Sequence, residues 1–341
     1  MLRCRLIDAA ATGPRTFRVR RVGHFFQTVR THMTASSTFT VGLIQMAVTG
    51  DRATTLAAAI EMIRVAAARG AQIISLQELF NAPYFCKSLK LERFDIAEPI
   101  PGPTIAALQT VAQELGVVLV VPIYERQAAG LYRNSAAVVD ADGTLLGTYR
   151  KMHIPHDPMF EEKYYFVPGD VGPDLRTDRH PAINGFRVWD TKFAKIGVLI
   201  CWDQWYPEAA RITAMLGAEL LIYPTAIGWH PAEKAAFGAA QVDAWRTAQR
   251  AHAIANGVFV ASPNRVGLEL EPGTDGIEFF GNSFICDPIG RYLAEAGTDP
   301  EILVATCDRA VIEDTRRNWP FLRDRRIDAY APITQRWLGG A

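Results

Sequence analysis

One cysteine, Cys201, stands where a thiol could act as a nucleophile. It closes the run KIGVLI and precedes WDQWYPEAAR, in which Pro207 and Glu208 open a helix. A tight strand-to-helix turn exposes a sulfur for attack, and N–H groups at a helix start favour the thiolate. The competing reading is a buried structural cysteine. Glu78 ends the strand-like IISLQELF, where an acid is rarely buried unless paired or at work. It suits a general base for a thiol or a water, or else an acid at a helix start. Lys151 follows LLGTYR and can stabilise an oxyanion, or is simply solvated. Glu162, in FEEKYYF, either orients Lys151 or forms a surface ion pair with Lys163 that is worth little.

Glu78, Lys151 and Cys201 share a position: each lies just past the C-terminal end of a predicted buried strand. In an α/β sheet such ends converge on one edge, where sites form. An acid, a cation and a thiol gathered there supply base, oxyanion stabiliser and nucleophile for acyl transfer. Other chemistries lack a comparable pattern. His153, His156, His230 and His252 show no HExxH or other ligand spacing, so no metal is assigned. Gly273, Gly276 and Gly281 read as turn glycines, no phosphate-binding glycine loop occurs, and no cofactor is implied. The RDRR run at 323–326 is too short for a nucleic-acid patch.

The elements that must position these residues alternate between helix and strand. Strands are predicted over 40–47, 72–76, 117–124, 195–200, 219–223 and 258–261, with a hairpin of 134–139 and 145–150 across Asp142–Gly143. Helices are predicted over 54–69, 104–115, 208–216 and 237–255, the first two ended by Gly70 and Gly116. Residues 151–187 read as long loops with one short helix, and 284–286, 291–294 and 302–307 as closing strands. No linker interrupts the alternation, which indicates a single α/β domain. The tail from Trp319 is basic and is expected to pack on a neighbour or subunit.

Composition narrows the class further. The 341 residues are 49% apolar and 21% charged, too apolar for a disordered chain. Basic and acidic residues balance at 36 each, so no global charge points to nucleic acid or a membrane surface. The longest apolar runs, such as 115–123, span about nine residues against the roughly 20 of a membrane helix. The balance conceals an asymmetry, because residues 1–37 hold seven Arg, no Lys and one acid. Without them 29 basic face 35 acidic residues. That segment is expected to be a leader outside the fold, whether dispensable, with Met33 as the start, or organelle-targeting; a structural arm is the other reading. The five cysteines at 4, 86, 201, 286 and 307 form no disulfide framework, which fits a reducing, cytoplasmic setting.

The motifs LQELF, YRKMHIP and GVLICWDQWYPEAAR, with EKYYFVPGD and YPTAIG, together resemble the nitrilase (carbon–nitrogen hydrolase) superfamily over residues 38–330. The resemblance implies a four-layer αββα sandwich, with 331–341 a C-terminal tail, and subunits paired into a homo-oligomer built on a dimer. It maps the family's catalytic Glu, Lys and Cys onto Glu78, Lys151 and Cys201, and its frequent second Glu onto Glu162. Within the superfamily the chain most resembles the N-carbamoylputrescine amidase branch. This implies release of ammonia and carbon dioxide from a small carbamoyl amine; another amidase (an ω-amidase or an N-carbamoyl compound hydrolase) or an aliphatic nitrilase is the alternative. Relatives acting on N-carbamoyl amino acids place Arg shortly after the Cys; here Gln204 and Trp205 follow, which favours an amine-bearing or neutral substrate. The branch usually reads IPDGPGYQEK and AIGSEP, where this chain reads IPHDPMFEEK and AIGWHP. His156 and His230 therefore replace two acids, and Asp157 or Glu233 stands by to substitute. Tyr84 and Trp202 are the expected pocket walls, and an insertion at 173–184 is expected near the rim.

Overall fold

The computed structural model describes residues 38–48, 50–172 and 180–339; the predicted leader lies outside them, as does most of the predicted rim insertion. The described residues begin with β1 (Thr38–Gln45), α1 (Arg52–Ala68), β2 (Ile73–Ser75), α2 (Pro103–Leu115), β3 (Val118–Ala128), β4 (Leu131–Val139) and β5 (Leu145–Arg150). A short α3 (Glu162–Tyr165) leads to β6 (Ala182–Ile183), β7 (Phe186–Asp190), β8 (Lys195–Val198), α4 (Pro207–Met215) and β9 (Leu220–Ile222). Then follow β10 (Gly228–Trp229), α5 (Lys234–Asn256), β11 (Phe259–Ser262), β12 (Val266–Glu269) and β13 (Ile277–Phe280). The described chain closes with β14 (Phe284–Cys286), β15 (Tyr292–Glu295), β16 (Glu301–Asp308) and α6 (Arg309–Asn318), before two short 3₁₀ turns.

Two large sheets result. One has the order β16-β1-β2-β3-β4-β5, the other β15-β14-β11-β9-β8-β7-β6. Each has a parallel centre, β1-β2-β3 in one and β8-β9-β11 in the other, flanked by antiparallel strands. Side-chain alternation along a strand decides what each face meets. Val41, Leu43, Ile73, Val118 and Val120 point inward and pack in one buried cluster with Val188, Ile196, Val198, Leu220 and Val260 of the second sheet. Their neighbours Ile44, Ile74, Leu119 and Val121 point outward onto Ala59, Ile63, Leu108 and Val111 of α1 and α2. Ala209, Ala210, Ala214, Trp245 and Ala253 bring α4 and α5 into the first cluster. The layers therefore run helix, sheet, sheet, helix, as the resemblance implied.

Local chemistry sets the helix ends. The Asp51 side chain accepts from Thr54 N at 2.9 Å and caps α1, while Pro103 opens α2 and left-handed Gly116 ends it. One glycine brings the second layer of helices close to the site. A Cβ on Gly197, in β8, would lie 2.2 Å from Thr213 Cγ2, so only glycine lets α4 press onto the strand that leads to Cys201. Gly197→Ala is expected to lower stability by about 2 kcal/mol through overpacking. An unchanged denaturation midpoint would refute this close contact.

Three features differ from the sequence reading. The stretch expected to be loop holds the β6–β7 hairpin besides its short helix. A third sheet, β10-β13-β12, was not anticipated, nor was α6. The two strands of β10 and β6 are two residues long, too short for any periodic signal. The tail from Trp319 is largely exposed, with Ile327 at 73% and Trp337 at 77%.

Candidate active site

Glu78 and Lys151 come from the first sheet and Cys201 from the second. Glu78 leaves the end of β2, and the next residue, Leu79, takes a left-handed φ of 50°. Fully buried Arg265 holds that bend by donating to the carbonyls of Glu78 (3.2 Å), Leu79 (2.7 Å) and Ala82 (3.1 Å). Lys151 follows β5, its backbone N–H donating to the Asn134 carbonyl at 2.9 Å. Cys201 follows β8 with a left-handed φ of 44° and opens a 3₁₀ turn, Cys201–Trp205, before α4. A strained non-glycine residue at a strand-to-helix turn is a recurrent setting for nucleophiles.

The lysine lies between two acids. Lys151 Nζ donates to Glu78 Oε1 at 2.8 Å and to Glu162 Oε2 at 2.7 Å, with all three side chains shielded from solvent. The surface pair of Glu162 with Lys163 considered from the sequence is thus replaced by a buried pair with Lys151. Asn134 Nδ2 also donates to Glu78 Oε1 at 2.7 Å, while Glu78 Oε2 is buried with no hydrogen-bond partner. One oxygen of the carboxylate is anchored and the other is left open to take a proton. Tyr84 donates its hydroxyl to Glu162 Oε1 at 2.8 Å.

Burial controls the protonation states. Burial alone would push the Lys151 ammonium down, but the carboxylates of Glu162 and Glu78 outweigh it and hold it well above the usual range. Glu162 is pushed up to about 7 by burial, with Glu78 adding to the rise and Lys151 opposing it. The Cys201 thiol is raised well above its usual range by burial and then by Glu78, with Lys151 only partly offsetting them. This corrects the expectation that the turn favours a thiolate. The Cys201 N–H is already donated to the Pro224 carbonyl at 2.9 Å, so that amide does not serve the sulfur. A resting neutral thiol needs a base at the moment of attack, and the open Glu78 oxygen can provide it.

Cys201 and Glu162 line a cavity of about 260 Å³ with Trp202, Trp205, Phe160, His230, Asp157, Glu233 and Gln241. Trp202 and His230, the expected substrate contacts, are both part of this lining. Tyr84 does not line this cavity; it is fully buried behind Glu162 and acts on that carboxylate. His156 does not line it either. Its side chain is 59% exposed and pairs with Glu161 at 3.0 Å, and the adjacent Asp157 occupies the wall instead. Asn134 and Arg265 were missed from sequence; each stands beside other polar residues, Arg133 and Ser135 in one case and Asn264 in the other, so no local signal marks it. Among the described residues no cluster of His, Cys, Asp or Glu could hold a metal ion.

Comparison with known proteins agrees with this fold. A family model described as carbon-nitrogen hydrolase matches residues 40–317. The chain belongs to that family and is an amide-hydrolysing enzyme. It is 47% identical to an N-carbamoylputrescine amidase of Solanum lycopersicum, over 85% of this chain and 93% of the relative. It is 39% identical to a citrullinase of Francisella tularensis, over 87% and 98%. The crystal structure of a carbon-nitrogen hydrolase from Helicobacter pylori G27 superposes with a TM-score of 0.82 at 42% identity, covering 88% of this chain and 100% of that one.

Proposed function

We propose that the protein cleaves a carbamoyl amine, N-carbamoylputrescine, into putrescine, ammonia and carbon dioxide. The observation that carries this reading is the character of the cavity wall. Asp157, Glu233 and the Gln241 amide offer acceptors, and no Lys or Arg is among the described residues lining it. Gln241 Oε1 is buried without a partner, so it is available to a ligand N–H. Such a wall suits a terminal ammonium and disfavours a carboxylate, which would enter a low-dielectric site unpaired.

In this reading Cys201 Sγ attacks the carbamoyl carbon as its proton passes to Glu78 Oε2. Lys151 keeps its third N–H for the oxyanion, assisted by the Trp202 N–H. The C–N bond to the terminal nitrogen breaks, Glu78 returns the proton, and ammonia leaves a carbamoyl thioester. Glu78 then takes a proton from water, which attacks the same carbon and expels the thiol. The released carbamate breaks down to carbon dioxide and amine. Glu162 holds Lys151 charged and in place, while Trp202 and His230 wall the substrate.

Ammonia release is the test, measured with N-carbamoylputrescine, 3-ureidopropionate, citrulline, an ω-amide and an aliphatic nitrile. N-carbamoylputrescine is expected to have the highest kcat/KM. Asp157→Asn and Glu233→Gln are each expected to raise its KM about tenfold while leaving the uncharged aliphatic nitrile unaffected. A preference for 3-ureidopropionate or citrulline, or acid variants with unchanged KM, would overturn the amine reading.

Two further proposals concern setting and assembly. The protein works in the cytoplasm, a setting supported by the unpaired buried cysteines 86, 201, 286 and 307; among the described residues no helix is long and apolar enough to cross a membrane. Its subunits form a homo-oligomer built on a dimer, supported by the exposed Trp319, Ile327, Ile333 and Trp337 of the tail. Light scattering at micromolar protein that returned only the monomer mass would refute the assembly.

A further inference from the structure

The base and lysine belong to one sheet and the nucleophile to the other, so something must fix the two sheets against each other at the active end. Apolar packing is non-directional and sets such a register only loosely. Buried Arg265 ties the segment after β11 to the bend at Glu78, and a second buried polar group links the segments that carry Lys151 and Cys201. Asp203, in the turn that Cys201 opens, has no solvent exposure and accepts four hydrogen bonds. Its Oδ2 receives the Tyr149 hydroxyl at 2.8 Å and the Ile200 N–H at 2.8 Å. Its Oδ1 receives the His153 N–H at 3.0 Å and pairs with His153 Nδ1 at 2.7 Å. A carboxylate only accepts, so Nδ1 is the protonated nitrogen here.

The partners are placed to a purpose. Tyr149 and His153 lie two residues before and two residues after Lys151, and Ile200 immediately precedes Cys201. The His153 ring stacks on Tyr206 with centroids 3.8 Å apart and planes 7° from parallel, which fixes the imidazole from its other side. None of Asp203, Tyr149, His153, Ile200 and Tyr206 is among the residues lining the catalytic cavity. We propose that Asp203 and His153 are positioning residues that set the distance between the Lys151 ammonium and the Cys201 sulfur. They do not touch substrate; they act through the backbone on either side of the two reacting side chains. Catalysis is sensitive to such placement, since a shift of about 1 Å can cost about a hundredfold.

The inference rests on the catalytic roles assigned above and is independent of which amide is the substrate. Asp203→Asn presents an N–H to the donors of Tyr149 or Ile200 and can disturb folding, so the decisive variants are at His153. His153→Phe keeps a ring to stack on Tyr206 and loses the Nδ1 donor. His153→Asn restores a donor, because its amide nitrogen lies as many bonds from Cβ as Nδ1 does. The intact protein is assayed with the fastest substrate of the panel, alongside alkylation of Cys201 by iodoacetamide and thermal unfolding. His153→Phe is expected to lower kcat roughly 30-fold with KM within about threefold, and His153→Asn to recover most of that loss. Alkylation of Cys201, which needs no amide substrate, is expected to slow in the Phe variant and recover in the Asn variant. The proposal is overturned if His153→Phe keeps full kcat, if its loss follows a lowered Tm, or if His153→Asn fares no better than His153→Phe. Should no panel amide turn over, the alkylation rates alone decide the matter, and the substrate reading fails separately.

Discussion

Cys201→Ala is expected to abolish ammonia release, by about 10⁴-fold or more, with the fold unchanged. The reasons lie in the site. Cys201 is the sole thiol among the residues lining the cavity, and none of those residues is Ser, Thr or Lys, so no neighbour can replace it as a nucleophile. Cys86, Cys286 and Cys307 are buried, with thiols raised above their usual range by burial first of all. Alanine retains the Cβ that the left-handed backbone already accommodates, and it removes a single atom from a 5% exposed position. Two measurements decide the outcome. Ammonia release should vanish, and peptide mass spectrometry after a haloacetamide should show the adduct at position 201 in the wild type and none at that position in the variant. A variant that retained more than about a tenth of the activity would end the assignment of Cys201 as nucleophile.

The second large effect is expected at Lys151. Lys151→Met keeps the length and apolar stem of the side chain but removes the ammonium between Glu78 and Glu162. Breaking a buried ion pair from one side leaves uncompensated charge, and the expected cost is about 3–5 kcal/mol. Activity should fall about 10³-fold or more, because the oxyanion loses its cation and Glu78 one of its two anchors. The stability loss should depend on pH, with a definite sign. Glu162 is already raised to about 7 by burial with the lysine present, and Lys151 opposes that rise. Removing the lysine raises it further, so the carboxyl binds its proton more tightly folded than unfolded. A raised carboxyl favours the folded state at low pH, and that contribution disappears as pH rises through the folded value. The Tm gap between Lys151→Met and wild type should therefore be smaller at about pH 5 than at about pH 8. Adding Glu162→Gln should recover part of the stability and none of the activity. A gap independent of pH would mean that the three side chains do not share charge as their geometry indicates.

Glu78, Lys151 and Cys201 were legible in the sequence because each follows a strand-like run, and strand ends of an α/β sheet converge. The main helices and strands were legible for a similar reason: period, capping residues and turn glycines act within a few residues of one another. The small sheet β10-β13-β12 and the β6–β7 hairpin were not, because β6 and β10 span two residues each, too short for a period to register, and Gly228 of β10 pairs with the distant Phe279. Asn134 lies 56 positions from the Glu78 it anchors, and Asp203 lies 54 and 50 positions from Tyr149 and His153. No local pattern reports contacts of that span. His156 and Asp157 are adjacent, yet one faces solvent and the other the cavity, a choice made by how the loop packs.

By itself, then, the sequence determined which residue types the chain brings to one edge of its sheets, since strand ends are a property of local pattern. Tertiary structure alone decided the charge state of the nucleophile. A strand-to-helix turn in water would favour the Cys201 thiolate, but burial beside Glu78 raises the thiol instead. Desolvation depends on everything packed around a group, most of it far away along the chain.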